Sequence, residues 1–182
     1  VVRAGGIPHL HSIVPDDKDM LAAAVLEAVE ESDFVVTSGG ASNGDFDYIQ
    51  QVVKEQGELF MDFVNMRPGK AQTFGLVKNT PVFGLSGNPA AAYCGFEMLV
   101  RPALRKMQGY ATLDRPRVWA RLSRDMKKKD SRRIYLRSTL ERLDDGSLQV
   151  RPAKSQSSGL FSPFQSGNCL AILPEGFQPP RS

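Results

Sequence analysis

The fold is decided by the stretch Asp33-Phe34-Val35-Val36-Thr37-Ser38-Gly39-Gly40. Its apolar, β-branched half predicts a strand that is buried on both faces of a sheet. The Ser-Gly-Gly that follows predicts a loop at the carboxyl end of that strand. Upstream, residues 17–31 carry apolar side chains at helical spacing and begin with acidic ones, as expected near the positive end of a helix dipole. A helix, a buried strand and a glycine-rich loop in succession are typical of an α/β domain.

Elements of the same kind alternate downstream. We expect a helix over residues 47–56, closed by Gly57, and strands over residues 59–66, 72–77 and 81–85, with a turn at residues 78–80. An apolar helix should run from residue 89 to about residue 107, with a kink or break at Pro102, which lacks an amide donor. Residues 10–14 also have the character of a strand. We therefore predict a three-layer α/β domain with a mostly parallel sheet over residues 1–111.

The sequence pattern changes near residues 110–116. Apolar and polar side chains then alternate with period two over residues 117–122 and 134–141. Residues 144–146 predict a turn, and residues 148–150 predict a further strand. Because no helical period is visible in this region, we predict a small all-β domain over residues 112–182.

The charge of the chain is unevenly distributed. The 182 residues have a net charge of +3, but residues 1–100 carry −7 and residues 101–151 carry +9. This split disfavours a polyanion partner for the whole chain and leaves one open for the second half. There, however, basic residues alternate with apolar ones on predicted strands and form no RNA-binding aromatic motif, so no nucleic-acid partner is expected.

Cysteine content and hydropathy indicate the cellular compartment. Cys94 and Cys169 lie far apart and form no CxxC motif, which excludes a disulfide framework and favours a reducing compartment. The longest apolar run, residues 20–26, is too short to span a bilayer, and no secretion signal is visible. We therefore expect a cytoplasmic protein without a membrane partner.

Four loops each follow a predicted strand, at residues 15–17, 38–47, 67–70 and 86–89. Ligands bind beyond the carboxyl ends of parallel strands, so such loops can converge on one site. Glycines let backbone N–H groups approach an oxyanion, and helix N-termini favour negative charge. Arg67 and Lys70 can neutralise phosphate, while Asp16, Asp45 and Asp47 offer oxygen ligands to Mg²⁺. This combination predicts an anionic, phosphate-bearing ligand held with a divalent metal.

Each loop also has a purely structural interpretation. Asp16 and Asp47 could merely cap helices, and the Gly39-Gly40 pair could serve only a tight turn. Residues 68–69 are by themselves a type II turn signal. No Walker loop or dinucleotide-binding glycine pattern is present, so the spacing names no nucleotide class. The occurrence of four such loops within residues 15–89 is what favours a shared site.

The loops also resemble those of a known family. The decisive runs are TSGGASNGDFD (residues 37–47), MRPGK (residues 66–70) and LSGNP (residues 85–89). Downstream, SRRIYLR (residues 131–137), QSSGLFS (residues 156–162), Gly167-Asn168 and LPEG (residues 173–176) fit in the same order. Together they resemble the C-terminal half of the molybdopterin molybdenumtransferases, the MoeA family, which includes the gephyrin E-domain.

The resemblance implies a fold and a function. The fold would be a molybdopterin-binding, MogA-like α/β domain followed by a small barrel-like β domain. The function would be that of a transferase in molybdenum cofactor biosynthesis, which inserts molybdate into adenylylated molybdopterin with Mg²⁺ and releases AMP. Full-length members are expected to be homodimers that share sites between subunits, so this chain, as a C-terminal fragment, is expected to be inactive alone. A molybdopterin adenylyltransferase of related fold and a non-catalytic, gephyrin-like scaffold remain alternatives.

The resemblance further assigns individual residues. Asp16 and Asp47 match acidic active-site residues that are expected to hold Mg²⁺, and Arg67 and Lys70 match basic residues that face phosphate or molybdate. The pterin phosphate is expected on Ser38, Gly39, Gly40, Ser42, Gly44, Ser86, Gly87, Asn88, Pro89 and Ser158. The sequence departs from the family pattern at Asn43, Phe63, Ala71 and Ser86. None of these departures removes a carboxylate.

Overall fold

The computed structural model describes residues 1–39, 48–126, 128, 130–157, 159 and 166–177. It divides into two compact units. The first comprises Val1–Val64 and Gly69–Asp114, and the second comprises Asn65–Pro68 and Arg115–Ser182. The chain therefore contributes Asn65–Pro68 to the second unit, returns to the first unit for Gly69–Asp114, and then forms the rest of the second unit.

The helices and strands follow one another in this order: a 3-10 turn (Val2–Ala4), α1 (Lys18–Glu31), β1 (Val35–Ser38), α2 (Tyr48–Gln56), β2 (Gly57–Phe63), β3 (Met66–Arg67), β4 (Ala71–Val77), β5 (Thr80–Leu85), α3 (Pro89–Gly95), a π-helical segment (Phe96–Val100), α4 (Arg101–Met107), β6 (Arg121–Leu122), β7 (Arg133–Arg142), β8 (Leu148–Pro152) and β9 (Cys169–Leu173). None of the helices in the described ranges is long and apolar enough to cross a membrane.

The first unit is built on a sheet of order β1-β5-β4-β2. Strands β1 and β5 are parallel, whereas β5 with β4 and β4 with β2 are antiparallel. The β4–β5 hairpin turns at Lys78 and Asn79, both with positive φ, as a tight hairpin turn requires. The predicted α/β class is confirmed, and the sheet is mixed because short connections can join only antiparallel neighbours.

Helices cover both faces of this sheet. On one face, α1 and α2 pack against β1, β4 and β5 through Val25, Ala28, Val29, Val35, Ile49, Val52, Val53, Val77 and Val82. On the other face, Phe83 and Leu85 pack with Val100 and Leu104. Phe83 stacks between Phe34 and Phe74, with ring centroids 5.0 and 4.5 Å away. Full burial of each large apolar side chain stabilises the fold by about 1.5–3 kcal/mol, so the two cores hold the three predicted layers together.

Two predicted strands are corrected by the structure. Residues 10–14 form no strand, and Ile7, Leu10 and Ile13 are 90–99% exposed. An extended segment becomes a strand only when a neighbour satisfies its backbone groups, and none of the described residues does so here. The strand predicted over residues 59–66 is divided, because β2 ends at Phe63 in the first unit and β3 belongs to the second.

The long helix continues through Pro102 instead of breaking there. The preceding π-helical segment lets the N–H of Arg101 donate to the carbonyl of Phe96. Pro102 therefore lies in the first turn of α4, where a missing amide donor has little cost. The expected break is thus absent, and the helix instead widens locally over Phe96–Val100.

The second unit is rich in strands over its described residues, as predicted. Its central strand β7 pairs with β9 over residues 134–138 and with β8 over residues 138–142. The short strand β3 pairs in parallel with the start of β7, and β6 pairs with β8. Beyond the end of β8, the Gln156 carboxamide accepts from the N–H of Arg137 at 3.1 Å and donates to its carbonyl at 3.0 Å. The side chain thus takes the place of one more strand residue beside β7.

Candidate functional site

The loops after β1 and β5 meet at one edge of the first sheet. Ser38 lies opposite Leu85, and the N–H of Gly39 donates to the Leu85 carbonyl at 3.0 Å. Gly39 has φ +96°, and a Cβ on Gly87 would lie 3.3 Å from the Gly39 Cα. The structure therefore brings together Ser38, Gly39, Ser86 and Gly87, because parallel neighbours end at the same edge.

The loop at residues 86–88 leads directly into α3. The Ser86 hydroxyl accepts from the N–H of Asn88 at 3.3 Å. Asn88 is the N-cap residue, and its side chain accepts from the N–H of Ala91 at 3.5 Å, while Pro89 opens the first turn. Ser86, which departs from the family pattern, thus supplies a hydrogen bond inside the turn.

The two acidic residues before α1 have different roles. Asp17 is the N-cap residue, and its carboxylate accepts from the N–H of Met20 at 2.9 Å. Asp16 is exposed, and its side chain forms no hydrogen bond or ion pair with the described residues. The capping alternative therefore applies to Asp17, and the Asp16 carboxylate is available to a ligand.

Lys70 lies in the first unit and is held by its neighbours. Its carbonyl accepts from the N–H of Val64 at 2.8 Å, and its Nζ lies 5.2 Å from the centroid of the Phe63 ring. This geometry is a cation–π contact. Phe63, a position at which the chain departs from the family pattern, thus contacts the predicted site residue Lys70.

A buried glutamine links two of the predicted loops. The Gln72 side chain is fully buried on β4, and its Nε2 donates to the carbonyls of Gly69 and Ala91, at 3.3 and 3.4 Å. It thus connects the loop that carries Lys70 with the first turn of α3. Gln72 was not among the predicted site residues, since a lone glutamine in a predicted strand does not indicate burial.

Two buried hydroxyls lie one row below the edge of the sheet. Thr37 on β1 and Thr73 on β4 both lie opposite Gly84 on β5. Their Oγ1 atoms are buried and have no hydrogen-bond partner in the part of the chain that the structure describes. A Cβ on Gly84 would lie 3.0 Å from both Ile49 and Thr73, so a larger residue here would force these side chains to shift.

Arg67 lies on β3 in the second unit, although only two residues separate it from Lys70. Its Nη1 donates to Oδ2 of Asp130 at 3.2 Å, and its side chain is 60% exposed. Arg132 also binds Asp130, through its backbone and its guanidinium. These contacts, led by those from Arg132, hold the pKa of the Asp130 carboxyl well below its usual range. Asp130 and Arg132 were not among the predicted site residues.

Six residues that the sequence predicts for the site lie outside the described ranges, namely Gly40, Ser42, Gly44, Asp45, Asp47 and Ser158. Within those ranges, no group of three or more His, Cys, Asp or Glu side chains could hold a metal ion by itself. Mg²⁺, however, is commonly bound by one or two carboxylates together with substrate phosphates and water. The Asp16 carboxylate, which has no partner among the described residues, fits a metal bound in that way.

Comparison with known families covers both units. The family described as "Probable molybdopterin binding domain" matches residues 1–106, and the "MoeA C-terminal region (domain IV)" matches residues 119–179. Molybdopterin molybdenumtransferases of Staphylococcus aureus (strain COL) and Staphylococcus epidermidis (strain ATCC 35984) are 36% and 32% identical over 88% and 92% of this chain. The chain spans 38% and 40% of their length.

Solved structures agree with this assignment. A molybdopterin biosynthesis MoeA protein from Pyrococcus horikoshii matches 89% of this chain with a TM-score of 0.71 and 31% identity, over 38% of its own length. A molybdenum cofactor biosynthesis protein from Pyrococcus furiosus matches 98% of the chain with a TM-score of 0.70 and 26% identity, over 56% of its length. The molybdopterin-binding family matches more than half of the chain, and the MoeA C-terminal region matches most of the remainder. The chain therefore belongs to the molybdopterin-binding domain family and, within it, to the MoeA family.

Proposed function

We propose that this chain supplies a molybdopterin-binding site to an enzyme that inserts molybdenum into adenylylated molybdopterin and releases AMP. The observation that carries the proposal is the contact between the loops after β1 and β5, in a chain of the MoeA family. Two glycine-containing loops at the carboxyl edge of a sheet are suited to receive a phosphate-bearing ligand, because their backbone N–H groups can approach its oxygens.

The residues of the chain have distinct proposed roles. The pterin phosphate lies on the loops that contain Ser38, Gly39, Gly40, Ser42, Gly44, Ser86, Gly87, Asn88 and Pro89, with Ser158 as a further contact. Arg67 and Lys70 neutralise the charge of phosphate or molybdate. Asp16 and Asp47 are the proposed ligands of Mg²⁺. When bound, the metal would stabilise the negative charge that develops as the phosphoanhydride is cleaved.

The proposal extends to domain organisation and assembly. We propose a molybdopterin-binding domain over residues 1–111 and a β domain over residues 112–182, and the family matches to residues 1–106 and 119–179 support this division. We propose a cytoplasmic homodimer without nucleic-acid or membrane partners. The two free cysteines, Cys94 and Cys169, support a reducing compartment.

The experiment that tests the function is AMP release by the intact enzyme, measured against molybdate concentration at fixed Mg²⁺ and adenylylated molybdopterin. We expect Asp16→Asn to lower the molybdate-dependent rate at least about tenfold, as loss of a metal contact does. Asp19→Asn is the matched control, because Asp19 is exposed in the first turn of the same helix.

Two results would refute the assignment. If Asp16→Asn leaves the molybdate-dependent rate of AMP release unchanged, Asp16 is not a ligand of the catalytic Mg²⁺. Turnover of a nucleoside triphosphate without any requirement for molybdate would instead identify an adenylyltransferase.

A further inference from the structure

The carboxylate of Asp130 accepts hydrogen bonds from two arginine side chains of the second unit. Its Oδ1 accepts from the backbone N–H and the Nε of Arg132, at 3.0 and 2.9 Å. Its Oδ2 accepts from Nη2 of Arg132 at 2.5 Å and from Nη1 of Arg67 at 3.2 Å. Arg132 thus binds the carboxylate with two guanidinium nitrogens, which fixes the carboxylate plane. Arg67 adds a single hydrogen bond at one corner.

The three side chains differ in exposure. The side chain of Asp130 is 14% exposed, that of Arg132 is 30% exposed and that of Arg67 is 60% exposed. A guanidinium has five N–H donors, and Asp130 occupies one of those on Arg67. Arg67 can therefore bind an oxyanion from solvent while Asp130 still holds it. Arg132, in contrast, directs its bidentate face to Asp130.

The backbone of Arg67 is tied to the same strand that follows Asp130. Arg67 pairs with Ile134 on β7, and the N–H of Arg133 donates to the carbonyl of Asn65 at 3.1 Å. Asp130 lies three residues before β7 begins. Both the backbone of Arg67 and the carboxylate that holds its tip are thus anchored to one element. The Arg67 side chain is therefore held at both its backbone and its guanidinium by residues at the start of β7.

We propose that Asp130 is a positioning residue, which holds the Arg67 guanidinium in the orientation that receives a tetrahedral oxyanion, and that Arg132 holds Asp130 in place. The inference rests on the proposed function, which assigns the anion to Arg67. The anion is either the phosphate of the pterin substrate or molybdate. The arginine contacts, chiefly those from Arg132, hold the pKa of the Asp130 carboxyl below its usual range, as expected where the carboxylate is the form that binds them.

The test uses steady-state AMP release by the intact enzyme, with molybdate and adenylylated molybdopterin varied separately. We expect Asp130→Asn to raise the KM of one of the two substrates about three- to fivefold, the range of a partly exposed ion pair, with kcat changed less than about twofold. The substrate whose KM rises identifies the anion. Asp130→Glu retains the carboxylate and should recover most of the loss. Glu141→Gln is the matched control, because Glu141 binds Arg151 at 2.6 Å in the same unit.

Variants in an Arg67→Ala background distinguish the role of Arg67 in anion binding from the positioning role of Asp130. If Asp130 acts through Arg67, Asp130→Asn has no further effect in that background. An unchanged KM for Arg67→Ala alone overturns the role of Arg67 in the proposed function. A loss for Arg67→Ala with none for Asp130→Asn overturns only the positioning role. Equal losses for Asp130→Asn in both backgrounds also overturn it, because Asp130 would then act without Arg67.

Discussion

The buried hydroxyl of Thr73 leads to a prediction about stability. Thr73 is fully buried, and its Oγ1 has no hydrogen-bond partner among the described residues. A buried hydroxyl without a partner costs about 1–3 kcal/mol. Valine has nearly the same shape and replaces the hydroxyl by a methyl group. We therefore expect Thr73→Val to raise the free energy of unfolding by about 1 kcal/mol or more, which is a change of unusual sign for a core position.

Urea denaturation followed by circular dichroism measures this change. Ser138→Ala is the control of opposite sign, because Ser138 is equally buried but donates to the carbonyl of Leu136 at 2.9 Å. Loss of this hydrogen bond in Ser138→Ala should lower the free energy of unfolding by about 1 kcal/mol. A Thr73→Val variant that is destabilised by as much as Ser138→Ala would refute the reasoning, since the Thr73 hydroxyl would then have a partner in the folded protein.

The remaining predictions concern packing and pH. Gly95→Ala should destabilise the first unit by about 1–3 kcal/mol, because the added Cβ would lie 2.5 Å from Oε1 of Gln72. Thermal unfolding measures this loss of stability. Adding Gln72→Ala to the same chain should recover part of the lost stability. A full loss that persists in the double variant would exclude this clash as the cause. The pKa of Asp130 is lower in the folded protein than the 3.8 of the free side chain, mainly through Arg132. Its stabilising contribution is therefore complete above that value and is lost as the pH falls toward the folded pKa. Urea midpoints between pH 2 and 6 should accordingly fall less steeply for Asp130→Asn than for the unaltered chain, and equal slopes would contradict the prediction.

Much of the first unit was predictable because its signals are local. The apolar run over residues 33–37 and the turn at residues 78–80 define strands β1, β4 and β5 through side-chain period and turn chemistry. The same signals place two glycine-containing loops after parallel strands, and the structure brings those loops into contact. The extent of the sheet was harder to predict, because residues 10–14 have the pattern of a strand without a described neighbour to pair with.

For the site residues, too, the sequence identified candidates, and the structure gave the contacts of those that it describes. The sequence contains two adjacent aspartates before α1, and only the structure shows that Asp17 is the cap, whereas Asp16 has no partner within the described ranges. Cap geometry depends on backbone angles that the order of residues leaves open. Burial of Gln72 was likewise not predictable, because it arises from the close approach of β4 to α3 at Gly95.

The sequence by itself determined the α/β and all-β regions, the glycine-containing loops and the resemblance to the MoeA family, since periodicity, turn residues and motifs are written in consecutive positions. Only the tertiary structure decided which side chains act together. Arg67 and Asp130 are 63 positions apart and meet because β3 pairs with β7. Arg67 and Lys70 are neighbours in sequence and lie in different units. Such pairings depend on strand register and burial across long separations, which no local pattern encodes.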